Sequence, residues 1–355
     1  MRLSSFSIFL SLFATSAYTG ERYEFYNGVR QMGMGGVGIA TVNDETSLLL
    51  NPNGLGRLRG PILTMIDPEV HVSAGAAERV YQNTGGITDV QGLLNTLREN
   101  QGYPYHAKFQ LFPSYVNTNF GMGFLVKQSY DAEVDETGQT YTLNYFNDYA
   151  LVAGFNFRFW DGRVKLGFNG RVINRSEIRE VLPADSTNLQ ISDLVHEGGG
   201  IAGDAALTLT GPWEYLPSVA GVLRDAGDTA LDAGSGFLHN TTRRPQNIKQ
   251  TLDLGISINP ILSPLVRMQI GAEYRDAMGA YEETDSMKKV HAGMELNIGD
   301  FVFLRAGMNQ RYWTLGAEMA VKFMQFQVAT YGEEIGTAAQ ARESRRLIGK
   351  FSFRF

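Results

Sequence analysis

The chain closes on "RRLIGKFSFRF". Leu347, Gly349, Phe351, Phe353 and Phe355 share one face of an extended backbone, and Arg346, Ile348, Lys350, Ser352 and Arg354 share the other. A period of two is strand geometry. The same alternation runs through "RVKLGFNGRV", "VRMQIGAEYR", "KVHAGMELNI" and "WTLGAEMAVKF". These runs last about 10 to 13 residues, whereas a sandwich strand lasts about 5 to 6. A tilted strand needs about that greater length to cross a bilayer. One face of each run carries full charges and glycines, and the other is apolar and ends in aromatics, as interfacial girdles do. No continuous apolar stretch of about 18 residues occurs, so a transmembrane helix is excluded. Closed barrels are the other structure that satisfies every backbone group in lipid. The predicted fold is all-β, a transmembrane antiparallel β-barrel.

Fourteen strands are predicted, at roughly 61–76, 105–117, 119–132, 140–159, 163–177, 199–211, 216–227, 249–259, 264–276, 287–299, 301–309, 311–323, 324–334 and 343–355. Connections after even-numbered strands are short. Those after odd-numbered strands are mostly long, with one tight turn near Gln310 as the exception. Short periplasmic turns, longer external loops and an even strand count are the pattern of a single-chain outer-membrane barrel. Both termini are then expected on the periplasmic side of a Gram-negative outer membrane.

The N-terminus reads as a signal peptide over residues 1–17. Arg2 supplies the positive start, "FSIFLSLFA" the apolar stretch, and Thr15 to Ala17 the small residues for cleavage. The chain has no Cys and a net charge of -6 with no basic patch. Disulfides and a Cys-linked lipid anchor are excluded, and nucleic acid is an unsuitable partner.

Residues 18–60 are left between the signal and the barrel, which takes 61–355. The stretch holds "GMGGVG", Gly33 to Gly38, a match to the dinucleotide fingerprint G-x-G-x-x-G. That fingerprint needs a buried strand before it and a long helix after it. Here polar "ERYEFYNGVRQM" precedes it, and the turn signal "NPNG" breaks the downstream residues before a long helix can form, so no nucleotide site is expected. Glycines also suit a chain that turns tightly and lies close against a wall. Residues 18–60 are therefore expected to fold into the lumen as a plug.

"GVRQMGMGGVGIATVNDETSLLLNPNGLGRL" resembles the N-terminal hatch motif of the FadL-type outer-membrane barrels. Arg30, Met34, Gly35, Gly36, Ala40, Asp44, Asn51, Pro52, Gly54 and Leu55 match it, and Asn53 stands where the family usually has Ala. "GGIAGDAALTLTGPW", "GVLRDAGDT", "IGAEYRDA", "FLRAGMNQRYWTLG" and "YGEEIG" look like strand motifs of the PorV-like and TraF-like branch, in its order. The resemblance implies a fourteen-stranded barrel that passes small hydrophobic molecules across the outer membrane. The alternative it implies is a scaffold or shuttle subunit of a secretion or conjugation machine. Expected partners are membrane lipids and lipopolysaccharide, barrel assembly machinery during insertion, and a hydrophobic ligand or secretion-system proteins.

No enzyme chemistry is expected. His71, His106, His196, His239 and His291 have no metal-ligand spacing, and "DAEVDETGQ" lacks the register of a calcium loop. No nucleophile elbow occurs, and neither metal nor cofactor is called for. Lys165, Arg267, Glu273, Glu295, Arg305 and Glu318 are predicted to face the lumen, where mixed signs form a salt-bridge lattice. "ITDVQGLLNTLREN" reads as an amphipathic loop helix, with a lid over the external mouth as its sharper reading. Pro113 interrupts the second strand, and a proline there removes a ladder donor. It marks a candidate lateral gate, with Asn51 to Gly54 as its stopper.

Overall fold

The computed structural model describes residues 21, 23–75, 90–234, 238–239, 241–281 and 285–355. The signal segment lies outside them. Among the described residues the alternating runs form fourteen barrel strands. β1 has two parts, Ile62–Ile66 and Glu69–Ser73, and so does β2, Tyr105–Leu111 and Ser114–Val116. There follow β3 Phe120–Val134, β4 Thr140–Phe159, β5 Val164–Pro183, β6 His196–Thr210 and β7 Ser218–Arg224. The second half is β8 Thr251–Ile258, β9 Val266–Tyr274, β10 Val290–Ile298, β11 Val302–Asn309, β12 Tyr312–Val321, β13 Met324–Glu334 and β14 Glu343–Arg354. Each pairs antiparallel with its neighbour, and β14 pairs with both parts of β1, which closes the sheet. The turns 117–119, 160–163, 211–217, 259–265, 299–301 and 322–323 define one end. The longer connections gather at the other, with the tight turn at Gln310 among them.

The two faces sort as the alternation requires. Leu151, Phe155, Phe168, Ile256, Ile270, Met294, Leu304, Leu315, Met319 and Val328 are exposed on the outside. Phe159, Trp160, Trp213, Phe301, Phe323 and Phe355 ring the short-turn end, an aromatic girdle. The chain has no native Cys, so single cysteines give a clean test. Leu166→Cys, Ile270→Cys, Leu296→Cys and Met319→Cys are expected to react with a membrane-soluble maleimide, while Lys165→Cys, Glu295→Cys and Glu318→Cys stay protected. The reverse pattern would refute the register.

β4 and β5 are 20 residues each. Such a strand is roughly 65 Å long and, tilted, rises about twice the ~25 Å apolar band. Their upper ends therefore stand clear of lipid while keeping an apolar outer face. Tyr141, Leu143 and Tyr145 share the outward parity of Leu151 and Phe155, yet they are buried. The cover is helix α3, Val90–Arg98 (α1 and α2 are the shorter plug helices Val29–Gly33 and Ser47–Leu50). Val90, Leu93, Leu94 and Leu97 of α3 pack against Tyr141, Leu143, Val134 and Ile178. Arg98 ties the helix to the Ala184 carbonyl at 2.5 Å. This segment clads the outer wall above the membrane and is no lid over the mouth. Water rather than lipid surrounds these strand ends, so their apolar face needs a protein cover.

Candidate functional site

Residues 23–58 lie inside the barrel, held by inward side chains from strands all around it. Arg30 makes a bidentate pair with Glu295 of β10, both contacts at 2.9 Å. The Gly33 carbonyl accepts from Thr314 of β12 at 3.0 Å. Asn53 donates to Thr208 of β6 at 3.2 Å, and Arg224 of β7 donates to the Leu50 carbonyl at 2.9 Å. Lys350 of β14 lies 3.7 Å from Glu45. Buried backbone needs partners, and wall cations supply many of them: Lys108 and Lys127 donate to the carbonyls of Asn27 and Phe25 at 3.3 and 3.2 Å.

The glycine motif is explained by the wall it faces. Gly35 and Gly36 have φ of +69° and +88°, the left-handed region that other residues avoid. Residues 33–41 run along a track of inward glycines on successive strands: Gly271, which faces the Val37 and Thr41 side chains, and Gly293, Gly307 and Gly316, which face the backbone of 33–35. A Cβ on Gly307 would meet the Gly35 amide at 2.6 Å, and one on Gly316 would meet the Gly33 Cα at 3.0 Å. A Cβ on Gly293 would overlap the Met34 carbonyl. Plug and wall thus meet backbone to backbone.

The other motif residues hold the plug to itself. Arg30 also reaches Asp44 at 2.6 Å. Burial would raise the Asp44 carboxyl, but Arg30 and the Thr46 hydroxyl outweigh it and lower it to about 2. Asn51 donates to the Ile39 carbonyl at 2.7 Å and accepts from the Asn53 amide at 2.9 Å, joining two arms of the segment. Pro52 starts a 3-10 turn, and Gly54 has Val42 and Ser47 where a side chain would stand. Asn53, at the position where the resemblance has Ala, is buried against Gly167.

The predicted lumen charges are not one lattice. Glu295, Arg305 and Glu318 form a buried chain with Arg30: Arg305 Nε is 2.7 Å from Glu295 and its other arm pairs with Glu318. Glu273 accepts the Gly38 amide at 2.7 Å. Lys165 donates to the Gly162 carbonyl at 2.7 Å, near the short-turn rim. Arg267 is on that rim, half-buried and paired with Asp300. Alternation sets the side of the sheet but not the depth. Arg175 with Asp148, and Arg171 with Asp204, are further buried pairs on the long strands, and Arg171 also reaches Asp225 just beyond β7. Their inward parity was the signal that would have found them.

Pro113 sits between the two parts of β2. Its carbonyl accepts from Phe124 of β3 at 3.0 Å, so the bond it forgoes is the reciprocal one to Phe124. The larger irregularity is on the other side. β1 carries an extra residue at Asp67–Pro68, where its register against β2 shifts by one. The Phe112 amide, which faces β1, finds the Asp67 carboxylate at 2.6 Å instead of a backbone carbonyl. Asp67 also pairs with Lys350 at 3.0 Å, and Lys350 leads to Glu45 of the plug. Asn51 to Gly54 lies against β4–β6, not beneath Pro113. Asp67 was missed in the sequence, although an Asp-Pro inside a strand is itself an anomaly.

Above the plug, at the long-loop end, a cavity of about 270 Å³ opens. Its floor includes Glu21, so the described chain begins near the end opposite Phe355. Glu21, His106 and Asp131 bring ligand atoms within 4.8 Å of one another. Arg346 lies 2.5 Å from Glu21 and 3.3 Å from Asp131 and occupies the place a cation would take.

No family model matches the chain, and no curated protein matches it. Solved structures do. The toluene transporter TodX of Pseudomonas putida is 12% identical, with 94% of this chain and 98% of that one covered at a TM-score of 0.55. The monoaromatic hydrocarbon channel CymD is 12% identical over 95% and 98%, at 0.54. The toluene transporter TbuX of Ralstonia pickettii is 13% identical over 93% and 98%, at 0.51. The chain has the FadL-type barrel fold. At such identities the likeness speaks for architecture, and it covers 93 to 95% of this chain. The glycine track and the Arg30 pairs set residues 23–58 against the inner wall of that barrel.

Proposed function

We propose that this FadL-type barrel passes small hydrophobic molecules across the outer membrane of a Gram-negative cell. The observation that carries the reading is the full-length match to channels named for toluene and monoaromatic hydrocarbons. A plugged lumen supports it, because an open water-filled pore suits polar solutes and a closed one needs another exit. The β1–β2 seam at Asp67, next to Pro113, offers that exit as a lateral gate, joined to the plug through Lys350. Under this reading the short turns and Phe355 are periplasmic, and Glu21 points outward with the long loops.

The test is uptake. Cells expressing the protein are expected to accumulate labelled toluene faster than cells lacking it, and the protein is expected to fractionate with the outer membrane and shift on gels after boiling. Equal uptake would remove the transport reading. One feature favours a second role: the α3-clad ends of β3–β5 form a rigid platform above the bilayer, suited to a PorV-like scaffold. Copurification of a secretion or conjugation complex from native membranes would support that role.

A further inference from the structure

We propose that the external cavity is a binding site for neutral hydroxylated aromatic molecules, phenols rather than bare hydrocarbons. The inference rests on the transport reading and names the ligand class of its outermost site. The cavity is about 270 Å³, room for one small ring with substituents. Tyr23, Tyr105 and Phe146 bring aromatic surface to it. Tyr23 and Phe146 lie with ring centroids 4.5 Å apart.

Two buried polar atoms decide the chemistry. His106 is 3% exposed, and its Nδ1 lies 2.6 Å from Asp131. A carboxylate only accepts, so in the neutral ring the proton sits on Nδ1 and Nε2 keeps a lone pair. Nε2 has no hydrogen-bond partner among the described residues. Arg346 is 1% exposed. Its Nη2 is held by Glu21 and the same Asp131 oxygen, while its Nη1 has no partner among the described residues. His106 and Arg346 both line the cavity and converge on Asp131. Two residues of the cavity lining thus each keep one buried polar atom without a partner among the described residues, an acceptor on His106 and a donor on Arg346. A hydroxyl is the group that satisfies both, since it donates to Nε2 and accepts from Nη1.

Charge narrows the class further. Five carboxylates and five lysine or arginine groups line the cavity. Arg346 already pairs with two of the carboxylates. A carboxylate ligand would meet Glu21 and Asp131 at close range, and a cation would meet Arg346. A neutral molecule avoids both costs. A site built to hydrogen-bond a hydroxyl rejects the analogue lacking it, because its own polar atoms are then left buried and unpaired.

The experiment is equilibrium dialysis of the detergent-purified full chain against labelled p-cresol, toluene and benzoate. p-Cresol and toluene share a ring and a methyl group and differ by the hydroxyl. p-Cresol is expected to bind at least about tenfold tighter than toluene, and benzoate weakest. His106→Phe keeps an aromatic ring and removes the acceptor. It should bring p-cresol down to the toluene level while the gel shift on boiling, which reads the fold, is retained. Equal binding of p-cresol and toluene to the unmodified chain would overturn the hydroxyl site and leave hydrocarbon transport standing. Tightest binding of benzoate would overturn the neutral class. Toluene uptake no greater than in cells lacking the protein would remove the transport reading, whatever the dialysis shows.

Discussion

Gly293→Leu is expected to convert the plugged barrel into an open pore. Gly293 pairs with Gly271 and Gly307 across β9–β11, and all three face the plug. A single Cβ there already overlaps the Met34 carbonyl, and Leu adds three more carbons. Neither side can yield cheaply. The wall is a hydrogen-bonded ladder, and the plug backbone opposite is fixed in left-handed geometry at Gly35 and Gly36. Overpacking a tight core costs roughly 1 to 3 kcal/mol when the neighbours are side chains, and here they are main chain. The Arg30 pairs with Glu295 and Asp44 lie next to the track, so a plug lifted off Gly293 strains them as well, while the anchors at Asn53 and Leu50 hold its far end. A barrel of fourteen strands falls between the filled eight-stranded barrels and the aqueous sixteen-stranded porins, so an empty lumen conducts. Planar bilayers should show steady ion conductance for the variant and almost none for the parent. Gly349→Leu is the control: nothing lies within 4 Å of a Cβ there, and it should stay closed. A closed Gly293→Leu barrel would mean that the plug is not held by the glycine track.

The glycine track shows where sequence reading ends. "GMGGVG" announced a backbone needing freedom and close approach, but its partners are spread over four strands, from Gly271 to Gly316. Each of those glycines looks like an ordinary interruption within its own strand, and only the register lines them up. Strand positions were legible because the bilayer imposes one long, repeated length on every crossing. The outer cover of Tyr141 and Leu143 was not, because a residue facing lipid and one facing a packed helix obey the same alternation. Parity puts Arg267 on the inward face but carries no information about its depth along the strand, which is the rim beside Asp300. The motif residues Arg30, Asp44 and Asn51 were legible as a set through the family resemblance, whereas their bonds were not.

Asp67→Ala is expected to weaken the wall more than any change at Pro113. Pro113→Val restores one ladder bond, to Phe124, and should stabilise the barrel slightly without touching the β1–β2 seam. Asp67→Ala removes the acceptor for the Phe112 amide and the near partner of Lys350 in one step. The amide is then left buried in the wall without an acceptor, next to lipid-facing Met65 and Ile66, and Lys350 keeps the more distant Glu45 at 3.7 Å. An orphaned amide costs about 1 to 3 kcal/mol, and weakening the Lys350 pair adds part of the roughly 3 to 5 that losing a buried ion pair outright costs. That sum is large against the stability of most folded chains, so the temperature of the gel shift should fall well below that of the parent. Asp67→Asn separates the two effects. It can still accept from Phe112 but no longer neutralises Lys350, which turns to Glu45 of the plug. If the seam is the lateral exit, Asp67→Asn should raise toluene uptake while the barrel stays folded at growth temperature. The plug would then be tied to Lys350 by Glu45 alone, and conductance should remain low. Unchanged uptake in Asp67→Asn, with folding intact, would remove the lateral gate and leave the mouth and plug as the only route.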